Sequence, residues 1–126
     1  MCSALAACAI ACGASSSPSA PSAPGGTGTA APSGPPTITI TSAGVSPVEV
    51  SVGVGRRVAF VNNDSIPHDV AGGPEPARPD CREIDAVGFL TPGQRRETQP
   101  FPAARTCEFH DHGFHSPIFN GRIVIQ

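Results

Sequence analysis

Val58-Ala59-Phe60-Val61-Asn62-Asn63-Asp64-Ser65-Ile66-Pro67-His68-Asp69-Val70 is the stretch on which the reading of this chain turns. Val58 to Val61 is a short apolar run of strand-forming residues. Asn62-Asn63-Asp64-Ser65 is a turn signal, because these side chains hydrogen-bond their own backbone and stop a strand. The turn leads through Ile66-Pro67 to a histidine, His68. Other short strands are expected on both sides. Thr37-Ile38-Thr39-Ile40-Thr41 alternates β-branched residues, and Val48, Val50, Val52 and Val54 alternate with polar or small ones. Downstream, Ala71 to Asp80 is rich in Gly and Pro. Then come Ala86 to Leu90, a turn at Thr91-Pro92-Gly93, polar alternation from Gln94 to Phe101, Ala104 to His112, and Gly121 to Gln126. No segment carries a sustained 3.6-residue period. Short strands separated by Pro/Gly turns predict an all-β, antiparallel sandwich or barrel.

The chain has 126 residues, and its first charged residue is Glu49. Residues 13–36 are almost wholly Ser, Pro, Ala, Gly and Thr, which bury too little apolar surface to offset ordering entropy. They read as a disordered tether. The folded domain is therefore expected over residues 37–126. A domain that small benefits from a staple such as a disulfide or a metal. The eight basic residues are all Arg, scattered through the sequence, and the formal net charge is −2. Without a basic stripe, nucleic acid is not an expected partner.

Cys2, Cys8 and Cys12 fall in the N-terminal segment, and Cys81 and Cys107 in the domain. Residues 1–12 read as the end of a lipoprotein signal peptide. Leu5-Ala6-Ala7-Cys8 fits the lipobox best, while Cys12 opens directly into the tether. The apolar run is too short to cross a bilayer. No Lys or Arg precedes either cysteine, so the true start is expected upstream. Lipidation is expected on Cys8 or Cys12, with the protein exported and held at the outer face of the cell membrane or in the periplasm. In such an oxidising compartment a domain pair of cysteines can form a disulfide.

All four histidines lie in the domain, and His110, His112 and His115 crowd into six residues. His110 and His112 are two apart, so on extended chain they share a face, as two ligands of one metal site can. Imidazole suits copper and zinc. Asp69 and Asp111 are placed to orient a ligand ring from behind. No catalytic nucleophile stands out: Ser116 lacks a G-x-S-x-G elbow, and Gly53-x-Gly55 is too short to cradle phosphate. Asp80, Glu83 and Asp85 read as a solvated loop.

Two motifs carry a family resemblance. The stretch Val58 to Val70 resembles the segment of plastocyanin-like cupredoxins that delivers the first copper histidine. Cys107-Glu108-Phe109-His110, followed by the strand Gly121-Arg122-Ile123-Val124-Ile125-Gln126, resembles the segment supplying their cysteine and second histidine. The resemblance covers residues 37–126. It implies a cupredoxin-like Greek-key β-sandwich of about seven or eight strands, one mononuclear copper, and a role in electron transfer or copper handling. His68 and His110 are the ligands it implies first, with His112 next and Cys107 and His115 contested.

The chain departs from that pattern in several places. The family's weak axial Met has no counterpart, since the single Met is Met1, and His115 stands about where it would fall. Arg105-Thr106 replaces the aromatics usual before the cysteine. Phe109-His110-Asp111-His112 also resembles the aromatic-His-x-His motif of multicopper oxidases. Asp80-Cys81, Val87-Gly88-Phe89-Leu90 and Pro92-Gly93 are similar to elements of cupredoxin-like lipoproteins, which carry histidines where this chain has Pro74-Glu75-Pro76-Ala77-Arg78. Cys107 is thus either a copper thiolate or the disulfide partner of Cys81. Export, one other domain cysteine and the missing aromatics favour the disulfide, worth roughly 3–4 kcal/mol in the chain-entropy model.

The function expected is that of a monomeric, lipid-anchored copper-binding protein, not an enzyme, serving a redox or copper-transfer partner. Two rivals stand beside it: an interaction or structural lipoprotein with a degenerate site, and a small copper redox enzyme.

Overall fold

A computed structural model of the chain describes residues 34–73 and 81–126. The readings of residues 1–12 and 13–33, with the lipid on Cys8 or Cys12, and of Asp80 lie outside the described residues.

The described chain folds as two stacked sheets. The strands are β1 (Thr37–Thr41), β2 (Gly44–Ser46), β3 (Glu49–Val52), β4 (Ala59–Asn62), β5 (His68–Gly72), β6 (Gly88–Leu90), β7 (Arg95–Glu97), β8 (Arg105–Asp111) and β9 (Gly121–Ile125). A four-residue helical turn, α1 (Arg82–Asp85), precedes β6, and a 3-10 turn (Pro117–Phe119) precedes β9. One sheet has the order β2-β1-β4-β7, the other β3-β9-β8-β5-β6. Period-2 patterning decides what goes inside, since successive side chains of a strand point to opposite faces. Ile38 and Ile40 of β1, Val50 and Val52 of β3, and Ile123 and Ile125 of β9 are buried, whereas Val48 and Val54, beyond the ends of β3, are exposed. Phe60 of β4 and Phe109 of β8 meet edge to face between the sheets, ring centres 5.1 Å apart.

The sandwich is mixed rather than antiparallel throughout. β1 pairs parallel with β4, and β3 parallel with β9. Between β1 and β4 the chain makes a hairpin with β2 and crosses to the other sheet as β3, so it re-enters the first sheet in its original direction. Nine strands are present among the described residues. The additions to the expected set are β2 and β5, which carry no apolar alternation. β5 is a strand because it is hydrogen-bonded on both sides, to β6 and β8.

Glu83 and Asp85 are not merely solvated. Glu83 pairs with Arg105 at 2.7 Å, and Asp85 accepts the Gly72 amide at 2.9 Å. Together they tie α1 to β8 and β5. Pro36, at the end of the tether, accepts a hydrogen bond from the Ala59 amide at 2.9 Å, which holds the chain's entry to β4.

Candidate metal centre

The turn after β4 is built around Asn62, whose side chain is fully buried. Its Nδ2 donates to the Ile66 carbonyl at 2.8 Å and the Leu90 carbonyl at 3.0 Å, and its Oδ1 accepts from the Asp64 amide at 2.8 Å. One side chain thereby shapes the turn and fastens it to β6. The turn delivers His68 to the start of β5, where the ring is 1 % exposed.

Both nitrogens of that ring face carboxylates. His68 Nδ1 lies 2.5 Å from Asp111 Oδ2, and Nε2 lies 3.2 Å from Asp64 Oδ2. Each contact is a hydrogen bond when one of its two partners carries the shared proton. Phe119 and Phe114 lie against the ring, with centres 4.8 and 5.5 Å from it. Desolvation pushes the Asp64 carboxyl upward. The Ser65 amide and His68 outweigh it and hold the carboxyl below its ordinary 3.8. A metal at His68 would have to displace one of these carboxylates.

His110 lies elsewhere. Along β8 the buried residues are Cys107, Phe109 and Asp111, and alternation puts Glu108 and His110 on the other face. Across the sheet Val70 is opposite Asp111 and Ala71 is opposite His110. His68, two residues before Val70, therefore shares the inner face with Asp111, while His110 sits on the outer face. The ligand pair implied first by the family resemblance is not brought together.

What the structure does gather is the histidine cluster. The His110 and His112 rings are 6.2 Å apart, and those of His112 and His115 are 6.1 Å apart. His110 and His115 line a groove of about 560 Å³, with Glu108, Asn120 and Arg122 among its other walls. Arg122 also pairs with Glu49. Asp69 contributes through its main chain, its carbonyl accepting the His112 amide at 2.7 Å.

Cys107 is joined to Cys81, with a Cα–Cα separation of 5.7 Å. Its sulfur is not available as a thiolate. Cys107 also stands four residues along β8 from Asp111, roughly 13 Å at the usual strand rise, so it is remote from His68. A thiolate copper set of His68, Cys107 and His110 does not fit this arrangement. Imidazole donors fit copper chemically. Even so, among the described residues no three His, Cys, Asp or Glu side chains converge tightly enough to hold an ion as they stand.

Sequence reasoning missed the roles of Asn62 and Asp64. Asp111 does hold a histidine ring, that of His68, and its place in the Cys107, Phe109, Asp111 alternation points it inward.

The sheet orders and the site can be set beside known structures. The purple cupredoxin from Nitrosopumilus maritimus superposes with a TM-score of 0.56 at 22 % identity, covering 72 % of this chain and 99 % of that one. The fold is that of the cupredoxins. Amicyanin from Paracoccus versutus is similar, with a TM-score of 0.59 at 21 % identity over 76 % of this chain and 85 % of its own. An amicyanin variant with Cu(I) gives a TM-score of 0.56 at 20 % identity, over 73 % of this chain and 82 % of its own. No family model and no curated protein sequence matches the chain. On its cupredoxin scaffold, then, this protein carries a disulfide at Cys107 and a carboxylate-clamped histidine at His68.

Proposed function

We propose that this chain is an exported, lipid-anchored cupredoxin-fold protein that handles copper through imidazole ligands, with one mononuclear site at His110, His112 and His115. The observation that carries this reading is the contrast between the two ends of β8. The Cys107 sulfur is committed to a disulfide, while three imidazoles gather at the far end of β8, His110 on the strand and His112 and His115 on the loop after it, beside an open groove. The similarity to copper cupredoxins supports the metal, and the donor set supports a nitrogen-ligated ion over a blue thiolate centre.

Metal–nitrogen bonds of about 2.0 Å place an ion roughly 3 Å from each ring centre, so the three rings would close inward on it. His112 and His115 are exposed loop side chains, and rotamer changes at such positions cost little. Bound copper would supply one-electron chemistry or be passed on whole. The chain's own residues hold the ion and keep the groove open to a partner. His68 serves structure in this reading, pinned between Asp64 and Asp111.

Titration of the metal-free domain with Cu(II) at neutral pH tests this. One equivalent should bind, giving a pale protein without an intense thiolate band. His110→Ala and His115→Ala should each weaken binding at least tenfold. Affinity should fall as pH drops through about 6–7, because the ligands must be deprotonated. An intense blue band would overturn the imidazole reading. Absence of copper uptake would favour an interaction module with a degenerate site, the reading that the loose convergence of the three rings supports.

A further inference from the structure

We propose that Asp111 is the positioning residue of this site: it sets the loop bearing His112 and His115 by holding that loop's amides, and does not bind the ion itself. The inference rests on the copper reading above and adds how the ligand loop is held.

Asp111 ends β8 between two of the proposed ligands, but its side chain goes to the inner face and is 3 % exposed. A buried carboxylate must be paired, and this one is paired on both oxygens. Oδ2 meets His68 Nδ1 at 2.5 Å. Oδ1 accepts from the amides of Gly113 at 2.8 Å, Phe114 at 3.1 Å and Asp69 at 3.3 Å. Gly113 and Phe114 are the two residues between His112 and His115.

One carboxylate thus joins a core imidazole, through one oxygen, to the turn that aims two surface imidazoles, through the other. The same turn is tied down on either side. The His112 amide donates to Asp69, and the Ser116 amide to the Phe114 carbonyl, both at 2.7 Å. The Phe114 ring then lies over His68. Without the Asp111 acceptor, Gly113 and Phe114 would lose their shared partner, and the turn that aims His112 and His115 would be held only by the His112–Asp69 and Ser116–Phe114 bonds. Preorganisation of this kind is what separates a tight site from a loose one built of the same ligands.

Asparagine separates positioning from ligation. Asp111→Asn keeps an oxygen for the Gly113 and Phe114 amides, and its amide nitrogen donates to a neutral His68 Nδ1. Asp111→Ala removes the acceptor. Copper affinity should stay within about threefold of wild type in Asp111→Asn and fall at least tenfold in Asp111→Ala. The Cu(II) electron paramagnetic resonance spectrum of the alanine variant should show fewer coupled nitrogens. In copper-free protein, Gly113 and Phe114 should be protected from amide hydrogen exchange in wild type and in Asp111→Asn, and unprotected in Asp111→Ala.

Equal loss of copper in both variants would make Asp111 a ligand and overturn the proposal. So would unprotected Gly113 and Phe114 amides in the wild-type protein, a result that needs no variant to fold. Failure of wild-type protein to bind copper would defeat the functional reading instead, and the exchange data would still decide whether Asp111 holds the loop.

Discussion

His68 and His110 leave the five-stranded sheet on opposite faces, although their strands β5 and β8 are hydrogen-bonded neighbours. His68 is buried on the side of Asp111, and His110 stands across from Ala71 on the outer side. The two rings therefore answer to different physics. One is a buried hydrogen-bonding group whose removal strands carboxylates. The other is a half-buried surface group beside a groove.

Stability measurements should separate them. His68→Ala leaves the buried Asp111 carboxylate without its ring partner, a loss of about 3 kcal/mol or more for one side of a buried pair. His110→Ala should cost less than this, because the ring is half-buried on the outer face and leaves no buried carboxylate behind. Urea midpoints of the two variants, measured without metal, check this. A larger loss from His110→Ala would mean that the faces are assigned wrongly.

The Cys81–Cys107 disulfide closes a loop of sequence separation 26 and should contribute roughly 3–4 kcal/mol. Adding reductant to the domain should lower its Tm, and the double Cys81→Ala/Cys107→Ala variant should be destabilised to a similar degree and lose its response to reductant. Thiol titration of the unfolded but unreduced domain should find no free thiol at these positions. One thiol at each would disprove the bond.

Asp64 predicts the shape of the acid limb. A carboxyl whose folded-state value lies below its unfolded 3.8 stabilises the fold above that pH, and ceases to do so as pH falls through the lower folded value. Asp64→Asn should therefore flatten the stability curve below about pH 4 and leave its slope above pH 5 unchanged. Denaturant midpoints between pH 2 and 6 would show this. An acid limb identical to wild type would remove Asp64 from the account.

The proposed anchor has its own test. Expressed with its native upstream sequence, the protein should partition into detergent and carry a diacylglyceryl group on Cys8 or Cys12. Replacing both with Ser should release it to the aqueous phase. Intact protein recovered without lipid and with both cysteines unmodified would count against anchoring.

Much of the fold was legible along the chain because it is local. The Thr37–Thr41 and Glu49–Val52 alternations and the final strand each bury a face dictated by period 2, and the apolar run before Asn62 is buried on both faces. β5 escaped notice because His68-Asp69-Val70-Ala71-Gly72 has no strand pattern of its own. Its partners, β6 and β8, are supplied from distant sequence. Gly121 in β9 is a small case of the same kind: a Cβ there would come within 2.6 Å of the Val48 carbonyl and into the Phe109 ring, a contact that composition does not announce.

For the site, the sequence by itself determined which donors are present: four histidines, one domain cysteine pair, and no methionine within the domain. It also predicted that His110 and His112 would share a face on extended chain, but β8 ends at Asp111 and His112 belongs to the loop beyond it. Only the tertiary structure decided which donors can meet. Side-chain alternation is fixed within a strand, but the pairing register between strands depends on packing against the rest of the core. That register set His68 against Asp111 on the inner face and His110 opposite Ala71 on the outer one. It took the packing of α1 against β5 and β8 to bring Cys81 within bonding reach of Cys107, which removed the thiolate.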